Sequence, residues 1–447
     1  MNRQTAPDWL ASAFALCAVV LGGSSSGGIW ANLLLQWFAA ILLIWLIAVR
    51  IPSPIPRALL IFGGAVVALP IIQLVPLPPS LWTLLPERGS VAEGFALAGI
   101  VPPWLPISLD PDATMAVLAG LLVPVAGLAL FAATSQRGLR LMLWSLIGAA
   151  IVSALLGLAQ QLAGEGTALQ PYALTNPGKA TGLFANRNHL ATLLVLAIPC
   201  AVLLFAGPGK RLQAAALVAG LGAGVVLTGS KAGMGLALIA ATISFAWIAA
   251  PARAHSAWLA LLGMGSILGI VGGLWLALAS DKPAPGGEEQ QRPFIIATTL
   301  QAARDHFPVG SGGGSFLRIY QHYEDPAQAS PQYRNHAHND YAEVLLEYGA
   351  LGALLILAVV GWWARQAQGA WCGQGPGFAE ARAGVIMLGI LLAHSAVDYP
   401  LRTGALALLA TAAAVLAARH QANADPTPAA GTVGEPDEDP VHLRITL

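Results

Sequence analysis

Apolar runs of roughly 18–24 residues recur along this 447-residue chain, separated by short polar clusters. Lipid supplies no hydrogen-bond partners, so a run of that length must satisfy its own amides as a helix. At a rise of about 1.5 Å per residue, it crosses a hydrocarbon core about 30 Å thick. Only 10% of the residues are charged, where soluble domains carry about 25%. The expected fold class is an all-α polytopic membrane protein of about 12 transmembrane helices. Short alternating strands of the kind that build membrane barrels are absent. The 22 Lys and Arg balance the 22 Asp and Glu, and no basic stripe stands out, so nucleic acid is excluded as a partner. Cys17, Cys200 and Cys372 show neither metal-ligand spacing nor a clear pairing.

Apolar windows place spans at about 9–25, 29–49, 57–76, 112–133, 140–162, 189–206, 211–228, 231–250, 256–279, 344–364, 379–397 and 404–419. Arg3 followed by the apolar stretch from Leu10 resembles a secretory signal, but so many spans follow that a retained first helix is the better reading. An even number of spans puts both termini on one side. With that side cytoplasmic, twelve Lys and Arg fall in cytoplasmic segments and five in short external loops, the asymmetry expected of inward positive charge. Residues 1–279 thus hold helices 1–9, with a Pro- and Trp-rich external loop at 77–111 that lies on the membrane surface. Residues 280–343 form a large external loop and 344–421 hold helices 10–12. The Pro-, Asp- and Glu-rich stretch 422–447 reads as a disordered cytoplasmic tail.

On this topology the unusual polar residues collect on the external face. Asn186, Arg187, Asn188 and His189 open the sixth span; Ser230 and Lys231 lie in the turn between the seventh and eighth. Arg292, His336, His338, Asn339, Asp340 and Tyr341 belong to the long loop and its exit. Asp398 and Arg402 lie between the last two spans, with His394 one turn inside. Each has a structural reading. Asn188 suits an N-cap, Lys231 and Arg402 can snorkel to the interface, and Asp398 can pair with Arg402 four residues on. His336 suits a solvated loop. Ionisable groups at membrane depth are nonetheless costly enough to be functional candidates. Arg187, Lys231, Arg292 and Arg402 suit a phosphate or pyrophosphate, and an imidazole suits general-base work near neutral pH. Together they point to transfer with a phosphate leaving group outside the cytoplasm. Gly310–Ser315 lacks the Lys-Ser/Thr of a phosphate-binding loop and reads as a flexible turn after a helix at 293–306. His336, His338 and Asp340 have weakly specific metal spacing, and no metal is expected.

These residues carry a resemblance over roughly 180–402. The run Gly182-Leu-Phe-Ala-Asn186-Arg187-Asn188-His189, the Ser230-Lys231 turn, Arg292 before Phe307-Pro-Val-Gly310, and His336-Ala-His338-Asn339-Asp340-Tyr341 resemble the O-antigen ligase/polymerase superfamily (WaaL/Wzy-like membrane glycosyltransferases). The resemblance implies a GT-C-like fold with a large periplasmic loop in the bacterial inner membrane. It also implies transfer of glycan from undecaprenyl pyrophosphate to an acceptor hydroxyl, with no cofactor or metal. By motif, His338 is the general base and Arg292 holds the donor pyrophosphate. The turn position is usually Ser-Arg in that superfamily, so Lys231 keeps the charge but loses the bidentate fork. Asn186, Asn188, His336, Asn339, Asp340 and Asp398 support the site. Lipid A–core would be the acceptor of a ligase and a growing glycan that of a polymerase. A protein O-oligosaccharyltransferase, or a transporter of polysaccharide or lipid, is the alternative.

Overall fold

The computed structural model describes residues 5–164, 167–173, 175–176, 178–207, 209–249, 288–326 and 334–422. In chain order they form α1 (Ala6–Leu21), α2 (Trp30–Val49), α3 (Arg57–Leu74), β1 (Pro76–Leu77), α4 (Pro79–Trp82), α5 (Gly89–Leu97), β2 (Leu105–Pro106), α6 (Pro111–Gly120), α7 (Leu122–Ala133) and α8 (Gln136–Ala163). Then follow α9 (Arg187–Leu204), α10 (Arg211–Thr228), α11 (Lys231–Ala249), α12 (Glu288–Asp305), α13 (Phe316–Tyr323), α14 (Asp340–Cys372), α15 (Phe378–Ser395), a 3-10 turn (Pro400–Arg402) and α16 (Gly404–Ala422).

Eight stretches are long and apolar enough to cross a membrane, counting α6 and α7 together, and α1, α11 and α16 are shorter apolar helices. This is a membrane protein built from helices. Helices stand on eleven of the twelve expected spans. The ninth, 256–279, lies outside the described residues, as does the expected tail beyond Ala422, the last residue of α16.

The axis of the bundle is α9, buried at every position from Asn188 to Leu204 and enclosed by α8, α10, α11 and α15. By contrast α2 turns Trp30, Trp37, Ile41, Ile44 and Ile47 outward, as a lipid-facing helix should. Between helices in lipid, close packing of small residues replaces the hydrophobic effect as the source of affinity. Gly384 of α15 shows this: a Cβ there would lie 2.5 Å from both Ala413 O and Ala417 N of α16.

The stretch 77–111 is more structured than a loop. Its ends pair as an antiparallel two-stranded ribbon, Pro76 opposite Pro106 and Leu77 opposite Leu105. Trp82 is fully buried there and its indole N–H donates to Pro103 O at 2.9 Å. Leu84, Leu97, Val101 and Trp104 are exposed.

Gly310–Ser315 is not a flexible turn. Gln73 Oε1 of α3 accepts from Gly313 N–H at 2.9 Å, Glu347 Oε1 accepts from Gly314 N–H at 2.8 Å, and Thr114 Oγ1 donates to Gly313 O at 2.8 Å. Left-handed φ angles at Gly310 (79°), Gly312 (110°) and Gly314 (76°) bring the backbone against Glu347, Ser108 and α6, an approach that side chains would block. Buried amides demand partners, and the four residues Ser311 to Gly314 take theirs from α3, α6 and α14. The loop therefore pins α14 to α3 and α6. Helix α14 itself breaks at Gly349 (φ 54°, ψ −133°), where a Cβ would lie 2.1 Å from Pro308 O. The break separates a short arm carrying the polar residues from the long apolar arm.

Candidate active site

Four chain segments meet at one end of α9: its first turn, the start of α14, the Val397–Thr403 turn after α15, and Arg292 of α12. Asn186 caps α9, its side chain accepting from Asn188 N–H at 2.8 Å. That corrects the expectation that Asn188 is the cap. Asn188 is turned inward instead, and its Nδ2 donates to Asp398 Oδ2 at 2.5 Å. Asn339 caps α14 by accepting from Ala342 N–H at 2.9 Å, and it also donates to Ala396 O at 2.8 Å. Capping thus fixes both helix starts against the end of α15.

His338 precedes that cap with φ 52°, a left-handed conformation that non-glycine residues seldom adopt. Its ring is buried, with Nδ1 3.2 Å from Asp398 Oδ1. Tyr399 N–H donates to the same oxygen at 3.0 Å, and Arg292 Nη2 lies 3.9 Å from Oδ2. Burial opposes charge on Asp398, but Arg292 and the hydrogen bond from His338 hold its carboxyl well below the usual carboxylate range. An ionised carboxylate only accepts, so the hydrogen of this contact is carried by His338 Nδ1. A buried carboxylate orienting an imidazole is the arrangement that general bases use. Arg292 also donates through Nη1 to Val397 O at 3.1 Å.

Tyr399 is the hub of the site, and sequence reasoning did not single it out. His189, His336 and His338 pack around its ring at centroid distances of 5.0, 4.5 and 4.9 Å. Its hydroxyl accepts from Asn186 Nδ2 at 3.2 Å and donates to Asn335 Oδ1 at 3.4 Å. His394 lies one helical turn deeper, Nδ1 2.7 Å from Thr192 Oγ1. His336 is not a solvated loop residue: Nδ1 lies 2.8 Å from Glu343 Oε1, and the ring is largely buried.

Arg402 does not pair with Asp398. It faces Glu347 Oε2 at 2.8 Å, Asp340 Oδ1 at 3.4 Å and Glu343 Oε1 at 3.6 Å. The three carboxylates on α14 repeat at helical spacing, which puts them on one face toward the 3-10 turn. Burial works against charge on Arg402, but Glu343, Glu347 and Asp340 hold it charged well above the usual range. Asp340 also accepts from Ser395 Oγ at 2.8 Å. Arg402 is thus committed to locking α14 onto the last two helices.

Arg187 and Lys231 stand on the other flank of the α9 start. Arg187 Nη1 reaches Gly229 O at 3.5 Å, in the turn joining α10 to α11, and Lys231 opens α11. Lys179, not singled out from sequence, reaches the same turn. The structure therefore brings together His336, His338, Asn339, Asp340, Asp398, Arg292, Arg402, Asn186 and Asn188. It sets Arg187 and Lys231 beside them as a separate cationic flank.

Imidazoles, carboxylates and cations thus gather at one end of the central helix of a helical membrane fold. Residues 214–357 match the O-antigen ligase family through its Wzy_C domain. This match supports the resemblance to the O-antigen ligase/polymerase superfamily drawn from the sequence. The matched stretch carries Lys231, Arg292, His336 and His338 but not Arg187, Asp398 or Arg402, which the fold brings to it. A comparison with curated proteins finds no match.

Proposed function

We propose that this chain transfers a glycan from undecaprenyl pyrophosphate to an acceptor hydroxyl at the periplasmic face of the bacterial inner membrane, as an O-antigen ligase or polymerase. O-antigen ligase-type glycosyl transfer in general is supported by the matched domain. The observation that carries the finer reading is the His338–Asp398 pair, held by Asn188 and Arg292.

The donor's lipid tail lies in the bilayer and brings its pyrophosphate to the rim of the bundle. His338 Nε2 takes the proton of the acceptor hydroxyl as its oxygen bonds to the anomeric carbon. The bond from that carbon to the pyrophosphate oxygen breaks, and the leaving group departs with the electron pair. Proton transfer of this kind contributes about 10²–10⁴-fold. Fixed cations stabilise the charge gathering on the pyrophosphate without reorganising during reaction. Attack opposite the leaving group inverts the anomeric centre. In this reading Arg187 and Lys231 receive the phosphates, which is supported by their meeting at the α10–α11 turn. Arg292 touches Asp398, the partner of the base, and adds a further cation. Both chain termini lie on the cytoplasmic side in this reading.

The test uses purified protein in lipid vesicles with an undecaprenyl-pyrophosphate-linked glycan. Wild type transfers glycan, His338→Ala loses about 10²–10⁴-fold in rate, and EDTA leaves the wild-type rate unchanged. Full activity in His338→Ala removes the base assignment, and abolition by EDTA, restored by a divalent ion, removes the metal-free mechanism.

A further inference from the structure

We infer that Lys179 completes a three-cation pyrophosphate cradle with Arg187 and Lys231 at the α10–α11 turn; the inference rests on the function proposed above. Gly229 lies at the centre of this arrangement, with φ 66°. A point one Cβ bond from its backbone lies 3.4 Å from Arg187 Nη1 and 4.0 Å from Lys179 Nζ. Two cationic groups thus reach within about 4 Å of one position above a residue that has no side chain. Lys231 begins the next helix two residues later, with an exposed side chain.

The convergence is built into the fold. Asn176 couples the segment to α9 in two ways: its Oδ1 accepts from Arg187 N–H at 2.9 Å, and its backbone O accepts from Lys179 N–H at 3.3 Å. Gln160, near the end of α8, holds the chain just beyond Lys179, accepting from Gly182 N–H at 2.8 Å and donating to Gly182 O at 2.9 Å. The adjacent Gln161 donates to Leu227 O at 2.8 Å and so holds the last turn of α10. One helix end therefore positions both the lysine-bearing segment and the turn it reaches. Bringing like charges together costs energy, and a ligand with several negative oxygens offsets that cost. A pyrophosphate fits: arginine supplies a fork and each lysine a point charge. Arg187 shares the first turn of α9 with Asn188, which contacts the His338 partner Asp398, so the cradle suits the leaving group while the base handles the acceptor. Lys179 is then a binding residue, with no part in proton transfer.

The experiment measures initial rates against donor concentration in neutral phosphatidylcholine vesicles. Lys179→Ala should raise KM for the lipid-linked donor about 3–10-fold, the scale of one partly exposed charge-assisted contact, with kcat within twofold. Lys179→Arg should restore KM, and the inhibition constant of inorganic pyrophosphate should rise in parallel in Lys179→Ala. Lys210→Ala, a charge loss outside the site, should change nothing. An unchanged donor KM in Lys179→Ala, with His338→Ala inactive, overturns the cradle and leaves the proposed function standing. Equal damage from Lys179→Arg overturns a charge role. An effect confined to vesicles containing phosphatidylglycerol assigns the lysine to a phospholipid headgroup and also overturns the cradle. Full activity in His338→Ala overturns the underlying reading itself.

Discussion

At His338 a strained backbone, a buried ring and a charged orienting partner coincide. Left-handed φ at a non-glycine residue costs of order 1–3 kcal/mol and persists where the surroundings enforce it, commonly at functional sites. Here the Asn339 cap and the Asp398 contact enforce it. Asp398→Asn should therefore lower kcat on the order of 10²–10⁴-fold, because an amide can turn its N–H toward Nδ1 and lose the productive tautomer. Steady-state rates in vesicles check this, and wild-type kcat in Asp398→Asn contradicts it. Arg402→Met leaves three carboxylates on α14 without their shared cation. Removing one partner from such a network costs about 3–5 kcal/mol, so this variant should show a lower unfolding temperature in detergent and poor yield.

Much at this scale could be read in the sequence. His338, Arg292 and the paired asparagines stood out because polar groups at membrane depth need a reason. Which asparagine capped α9 could not be read, since Asn186 and Asn188 both suit a cap and only the approach of Asp398 decides between them. Nor could the partner of Arg402: four-residue spacing favoured Asp398, whereas the 3-10 turn aims the guanidinium at α14. Tyr399 carried no signal of its own, because a tyrosine near a membrane interface is ordinary.

Among the elements, helices were the most legible part, since a long apolar run in lipid has little choice but helix. Irregular segments were the least legible. A glycine-rich stretch is compatible with a flexible turn or with tight backbone packing, and tertiary partners decide. Gly310–Ser315 is tied by Gln73, Thr114 and Glu347, none adjacent in sequence. Gly349→Ala should disrupt the loop most, because it meets both a left-handed φ and Pro308 O at 2.1 Å; loss of folded protein on size-exclusion chromatography is the expected outcome. Gln73→Ala removes two ties, to Gly313 N–H and to Glu347 O, and should cost about 1–3 kcal/mol, measured as a fall in unfolding temperature with the helical circular dichroism retained.

For the molecule as a whole, acid should be destabilising for an identifiable reason. Asp398 has a depressed carboxyl in the folded protein, so it contributes stability that is present above the unfolded value of about 3.9 and is lost as pH falls through its folded value. The difference in unfolding temperature between pH 7 and pH 3 should shrink in Asp398→Asn. In the proposed orientation Cys372, the exposed last residue of α14, faces the cytoplasm. A membrane-impermeant maleimide should leave it unlabelled in right-side-out vesicles and label it in inverted ones. Orientation, acceptor and sugar are properties of the membrane and the partners, so one chain's sequence encodes them only weakly.

The central claim is transfer from a lipid pyrophosphate by His338. Its most direct test reconstitutes the purified protein in vesicles with undecaprenyl-pyrophosphate-linked repeat units, with and without rough lipid A–core, and reads products by mass. Release of undecaprenyl pyrophosphate is predicted together with either glycan on lipid A–core when it is supplied or lengthened lipid-linked glycan without it, each lost in His338→Ala. Donor crossing the membrane intact, with no glycan transferred under either condition, would contradict the account and point to transport instead.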